Sequence, residues 1–292
     1  MWMSSLLCGL IGTGIGASLT PSLHMTEGAH HGLDYEYRIL DLAELGLGVD
    51  DLPELFERVR GAGCRGLNIT HPCKQRVIEL LDELSPEAAR LGAVNTVLFE
   101  GDRAIGHNTD WSGFRRSLDR GLPDARFEQV VQLGAGGAGA AVGYATLDRG
   151  ARELTLVDAD PGRAGELAET LGTHFPDRRL SVAAPDRLAQ VLEHADGLVH
   201  ATPMGMAEHP GMALPAELLR ADLWVAEVVY RPVETELVRT ARASGARTLT
   251  GAGMAVYQAA DAFEIFTGIA PDADRMATHM DALLSREAMA AK

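Results

Sequence analysis

Leu133-Gly134-Ala135-Gly136-Gly137-Ala138-Gly139, entered from the largely apolar run Gln129–Leu133, is the stretch on which the fold turns. A strand ending in glycines at this spacing and opening straight into a helical stretch starts a dinucleotide-binding βαβ unit. Gly134 permits the tight turn, Gly136 lets the backbone approach a pyrophosphate, and Gly139 lets helix and strand pack closely. Amide groups at the helix N-terminus, around Gly137 and Ala138, then face the phosphate charge. The next strand is expected over 153–157 and ends at Asp158, 19 residues past Gly139. An acid at that place meets the ribose 2′-hydroxyl. A carboxylate accepts hydrogen bonds from the ribose diol of NAD and repels the 2′-phosphate of NADP, and Asp160 adds to the repulsion. Arg163 is the basic residue close by and suits the adenine side or a 2′-phosphate. NAD is the expected cofactor, with NADP less favoured.

Working outward, helices are expected over 137–148 and 162–171, and further strands near 180–182, 197–201, 223–228 and 248–249. This alternation predicts a doubly wound parallel sheet, a Rossmann domain. Upstream, strands are expected over 6–12, 34–40, 65–70, 94–99 and 103–107, with helices over 53–60 and 74–84. The short Glu-Gly-Asp turn between the last two strands makes this first sheet mixed. A helix follows, capped at Thr109 or Asp110 and running to about Arg120. Two helical stretches, 256–266 and 272–289, close the chain. The class is α/β with two domains, 1–109 plus 254–292 and 110–253.

Composition narrows the function. The 292 residues carry a formal charge of −15, which argues against a nucleic-acid partner. No apolar run approaches the roughly 20 residues of a membrane span. Residues 6–19 resemble a signal-peptide core but lack a positive leading region and are broken by glycines; they read as a strand and a Gly-rich loop. Cys8, Cys64 and Cys73 are too scattered for a disulfide framework or a zinc site. His30 and His31 lack an acidic partner spaced for ligation, so no metal is expected. A cytosolic location is expected.

The cations are more informative than their sum. There are 24 Arg and two Lys, and Lys74 is the only Lys before Lys292. Arg cannot shuttle a proton, whereas Lys shifts its pKa readily. The three Asn of the chain, Asn68, Asn95 and Asn108, all lie within one stretch, on either side of which the chain has none. A Lys and an Asp brought together form a pair able to move a proton to or from a hydroxyl. Such a pair suits hydride transfer from a secondary alcohol. Ser18, Thr20, Thr70, Asn95 and Gln258 would supply partners for a polyhydroxylated substrate, because an analogue lacking a hydroxyl leaves a buried group unpaired. Met204, Met206 and Met254 suit the lining of a nicotinamide pocket.

At these residues the chain resembles the shikimate dehydrogenase family. The shared motifs are Gly9-Leu-Ile-Gly12 with Ser18-Leu-Thr20-Pro21, Asn68-Ile-Thr70-x-Pro72-x-Lys74, Gly92-Ala-Val-Asn95-Thr96 and Gly106-x-Asn108-Thr109-Asp110. The second half adds the glycine turn, Thr202-Pro203-x-Gly205-Met206, Tyr230-x-Pro232-x-x-Thr235-x-Leu237 and Gly253-Met254-x-x-x-Gln258-Ala259. The resemblance implies two α/β domains, the C-terminal helices packing back on the first. It also implies Lys74 and Asp110 at the catalytic centre, with the substrate carboxylate on Ser18 and Thr20. Tyr230 joins the substrate-binding set, and Thr202, Pro203, Met204, Met206 and Gly253 the cofactor-binding set. Thr20 in place of a second Ser, and Asp158-Ala-Asp160 in place of a basic NADP signature, resemble the NAD-using quinate/shikimate branch. Glu227 stands where the family usually has Asp. The expected partner is a small molecule, quinate or shikimate, and the expected assembly a monomer or homodimer. The alternatives are an NADP-dependent biosynthetic shikimate dehydrogenase, a dehydrogenase of amino analogues, and a catalytically silent nucleotide sensor.

Overall fold

Short apolar runs closed by glycine or a polar residue supply the strands of two separate six-stranded sheets. The computed structural model describes residues 6–290. They divide into two units, one of residues up to Thr109 together with those from Gln258 onward, the other Asp110–Tyr257.

The first unit contains β1 (Leu6–Gly12), α1 (Thr20–His30), β2 (Tyr35–Asp41), α2 (Leu52–Gly61), β3 (Gly66–Ile69), β4 (Glu83–Leu84), α3 (Pro86–Leu91), β5 (Thr96–Glu100) and β6 (Arg103–His107). Its strand order is β2-β1-β3-β5-β6-β4. β1 runs parallel to β2 and β3, while β3–β5 and β5–β6 are antiparallel, so the sheet is mixed as expected. Period-two alternation sends Leu7 and Ile11 of β1 to a core with Leu55, Phe56, Leu67 and Val97, and Cys8 and Leu10 to the opposite face. That second face is covered by Phe263 and Phe266. The C-terminal helices therefore do return to this sheet.

The second unit begins with α4 (Asp110–Gly121) and continues through β7 (Gln129–Leu133), α5 (Gly137–Arg149), β8 (Glu153–Val157), α6 (Pro161–His174), β9 (Arg179–Ala183), α7 (Leu188–Leu192), β10 (Gly197–His200), β11 (Trp224–Glu227), α8 (Glu236–Ala243) and β12 (Thr248–Leu249). The strands are all parallel in the order β12-β11-β10-β7-β8-β9, which is the doubly wound arrangement. The chain ends in α9 (Gly251–Thr267) and α10 (Ala273–Ala290).

Two differences from the sequence reading have physical causes. Residues 74–84 do not form a helix: a 3₁₀ turn spans Arg76–Leu80 and then β4 begins. The Lys74 carbonyl, which an α-helix would offer to the amide of residue 78, instead accepts the Val94 N–H at 2.9 Å. The far end is captured by β6, where Asp82 accepts the Ala104 N–H and Ser85 donates to the Gly106 carbonyl. Helix α1 was unforeseen because its buried face is Leu23, His24, Glu27 and Gly28, a stripe with one apolar side chain. In that stripe Glu27 is paired with Arg275 of α10, and His24 meets Tyr35 Oη through Nδ1.

Candidate active site

The glycine turn lies between β7 and α5. Gly134 has φ +98°, and a Cβ there would stand 2.6 Å from the Ala201 carbonyl oxygen. A Cβ on Gly139 would come within 2.4 Å of the Gly134 carbonyl. At Gly136 and Gly137, by contrast, a Cβ would meet nothing within 4 Å. Two glycines are thus required by packing, and two face open space where a phosphate can approach the backbone. Gly136 sits at the N-cap of α5 with no side-chain cap hydrogen bond, so the first helix amides are unclaimed by side chains. The residues present fit a dinucleotide pyrophosphate.

Two side chains, Gln132 and Asp158, hold this turn. Gln132, fully buried, donates through Nε2 to the carbonyls of Gly134 and Gly139, each at 2.8 Å, and so ties the two ends of the turn together. Sequence reading missed it, although a polar residue inside Gln129–Leu133 was the available signal. Asp158 accepts the Ala135 N–H at 2.7 Å through one oxygen and the Asp160 N–H at 2.9 Å through the other. Its side chain is 9% exposed. Asp160 caps α6 by accepting from Gly162 and Arg163. The exposed Arg163 guanidinium lies 3.9 Å from Asp158 and 3.7 Å from Asp160.

Beyond β10, Thr202 accepts the Met204 N–H, and its methyl stands over Gly134, 3.1 Å from where a Cβ would be. Met204 is half-buried and Pro203 and Met206 are exposed. Gly253 lies in the first turn of α9, where a side chain would collide with Ser117 Oγ of α4; its smallness serves packing within this unit. Tyr230, half-buried, lies in the loop after β11, and Asp110 is the buried first residue of α4.

In the first unit the predicted residues gather where β1 and β3 end, β5 begins and β6 ends. Ser18 and Thr20 stand at the start of α1, Ser18 Oγ donating to Thr20 Oγ1 at 3.2 Å and accepting the Thr20 N–H. Asp41, at the end of β2, fixes the loop before them by accepting from Gly14, Ile15 and Ala43. Its burial opposes ionisation, but these backbone donors hold the carboxyl below its ordinary pKa. Thr70 donates its N–H to Ile11 at the end of β1 and sits half-buried. Lys74, also half-buried, follows in the turn after β3.

Asn68 and Asn95 belong to one connected network, and Asn108 lies beside it. Asn68 accepts from Tyr37 Oη at 2.7 Å and donates to Thr96 Oγ1 and the Asn95 carbonyl. Asn95 accepts the Thr109 N–H at 2.7 Å and donates to Thr109 Oγ1. Asn108 donates to the Ala93 carbonyl. Residues 94 and 95 therefore anchor the Lys74 backbone on one side and Thr109, the residue before Asp110, on the other. Tyr37 and Asp41 carried no motif signal and are legible only in the structure. Gln258 lies half-buried in α9.

A profile of the shikimate dehydrogenase substrate binding domain matches residues 10–97, and one of the shikimate 5′-dehydrogenase C-terminal domain matches residues 251–280. A shikimate dehydrogenase (NADP(+)) of Streptomyces avermitilis is 60% identical over 94% of this chain and 95% of its own length. A quinate/shikimate dehydrogenase (NAD(+)) of Corynebacterium efficiens is 47% identical over 93% and 96%. The solved quinate dehydrogenase of Corynebacterium glutamicum in complex with NAD superposes with a TM-score of 0.89 at 45% identity, covering 94% of this chain and 98% of that one. With relatives this similar along nearly the whole length, the chain belongs to the shikimate dehydrogenase family, oxidoreductases that act on a CH–OH group with a nicotinamide dinucleotide.

Proposed function

We propose that the chain is an NAD-dependent quinate/shikimate dehydrogenase that interconverts the C3 hydroxyl of quinate or shikimate with the ketone of 3-dehydroquinate or 3-dehydroshikimate. The observation that carries the cofactor choice is Asp158, a largely buried carboxylate at the end of β8, held by the Ala135 amide of the glycine turn. Its oxygens suit a ribose diol, and its charge opposes a 2′-phosphate. Domains 1–109 with 254–292 and 110–253 would take substrate and dinucleotide respectively, in a cytosolic monomer or homodimer.

Bound nicotinamide supplies a carbon, C4, that takes or returns the hydride. The protein's own work is proton transfer and orientation. Lys74 takes the hydroxyl proton as the ketone forms, with Asp110 as its carboxylate partner. Ser18 and Thr20 hold the substrate carboxylate, and Thr70, Asn95, Tyr230 and Gln258 its hydroxyls. With a net charge of −15, attraction for a carboxylate must come locally, from Lys74 and the N-terminus of α1.

A second reading, NADP-dependent shikimate dehydrogenase, is favoured by Arg163, whose exposed guanidinium lies 3.9 Å from Asp158 and would suit a 2′-phosphate, and by the similarity to the Streptomyces shikimate dehydrogenase (NADP(+)). Steady-state kinetics on quinate, shikimate and an amino analogue, each with NAD and NADP, separate these. A kcat/KM at least tenfold higher with NAD is expected. A clear NADP preference overturns the Asp158 reading.

A further inference from the structure

The second unit contains a buried polar chain that the proposed reaction does not use. His200 ends β10 and Glu227 ends β11, and the two are register partners in adjacent parallel strands. Each is 1% exposed. His200 Nδ1 lies 2.8 Å from Glu227 Oε1, and Nε2 lies 2.5 Å from Thr202 Oγ1. Glu227 also receives the Val229 N–H at 2.9 Å and the Thr235 hydroxyl at 3.0 Å. Thr235 in turn caps α8 by accepting the Val238 N–H.

These contacts have a direction. Both oxygens of Glu227 already accept, one from the Val229 N–H and the other from the Thr235 hydroxyl, so the hydrogen of the Nδ1 contact is assigned to His200. In the neutral ring Nε2 is then an acceptor, and the Thr202 hydroxyl donates to it while accepting the Met204 N–H. One carboxylate thus orients His200, Thr202 and the start of the loop 202–206. The Thr202 methyl is held over Gly134 by the same arrangement.

Topology says what that loop faces. Asp158 at the end of β8 marks the adenosine side of the site, and β10 flanks β7 on the opposite side. A dinucleotide laid across the strand ends therefore carries its nicotinamide half toward β10 and β11.

We propose that Glu227 and His200 are positioning residues for the nicotinamide half of the dinucleotide, acting through Thr202 on the loop 202–206. This rests on the dinucleotide reading above. The test compares NADH, followed by fluorescence, with ADP-ribose, which lacks the nicotinamide ring, followed by calorimetry. Thr202→Val removes the hydroxyl at nearly constant volume. It should weaken NADH about tenfold, the worth of one lost hydrogen bond, and leave ADP-ribose within twofold. Thr202→Ser should restore NADH binding, and His200→Phe should reproduce the selective loss. Parallel weakening of both ligands, or no change in either, overturns the proposal and leaves the dinucleotide reading standing. If the unaltered chain binds neither ligand, both fall together.

Discussion

The two candidate half-sites are built by opposite means. The phosphate turn of the second unit is made from missing side chains: a Cβ at Gly134 or Gly139 would overlap backbone, and one at Gly136 or Gly137 would occupy open space. The candidate substrate end of the first unit is made from side chains that grip one another, Tyr37 to Asn68, Asn68 to Thr96, Asn95 to Thr109. The difference teaches that a charged group of fixed shape can be met by bare amides and a helix terminus. Discrimination among hydroxyls needs donors and acceptors locked at set angles.

The comparison is sharpened most by Lys74→Ala. Turnover should fall by about two to four orders of magnitude, the usual span for an acid–base group, while NADH titration stays unchanged. Undiminished turnover removes the role given to Lys74. Next in size are two glycine variants of contrasting kind. Gly139→Ala forces a Cβ against the Gly134 carbonyl, so it should lower the thermal midpoint of the unliganded protein and abolish dinucleotide binding at accessible concentrations. Gly136→Ala meets no protein atom, so the midpoint should hold while dinucleotide binding weakens about tenfold or more as the backbone is kept from the phosphate. Equal midpoints for the two variants would break the distinction between packing and approach.

A smaller effect concerns pH and the first unit's reliance on buried polar groups. His24 is fully buried, with Nδ1 on Tyr35 Oη at 3.0 Å and no partner for Nε2 among the described residues. Burial pushes its pKa down from 6.5 to about 3. A depressed histidine pKa means that the unfolded chain binds the proton first, so stability is lost as pH falls below 6.5 toward 3. Between pH 6.5 and 5 the loss should reach about 2 kcal/mol. Urea titrations at pH 7 and 5 check this, and His24→Phe, set among Tyr35, Tyr37, Phe263 and Phe266, should flatten that dependence. An unchanged slope in the variant would exclude His24 as its source.

The Rossmann strands and helices were legible because their patterns are local: Gly134 to Asp158 lies within one βαβ unit, and each apolar run has its own period. The mixed first sheet was legible from the short Glu-Gly-Asp turn alone. Helix α1 was not, since Glu27 and His24 are inward-facing polar residues whose partners, Arg275 and Tyr35, come from other elements. Residues 74–84 misled for the same reason: their apolar spacing suits a helix, yet Val94 and β6 compete for the backbone and win. Among site residues, motif spacing pointed to Lys74, Asp110, Ser18 and Asp158. Tyr37, Asp41 and His200 emerged only through what they touch, as did the partners of Gln132 and Glu227.

Chain order and residue type alone sufficed for the class of fold, the family and a nicotinamide dinucleotide as cofactor, because glycine spacing, motif order and strand–helix alternation are properties of neighbours in sequence. Which side chains brace the phosphate turn and which asparagine oxygen meets which hydroxyl came from folding. So did the burial of a carboxylate against a histidine two strands' ends apart in the chain and adjacent in the sheet. Hydrogen-bond satisfaction in a dry interior is settled between residues that only the packed chain brings within 3 Å of one another.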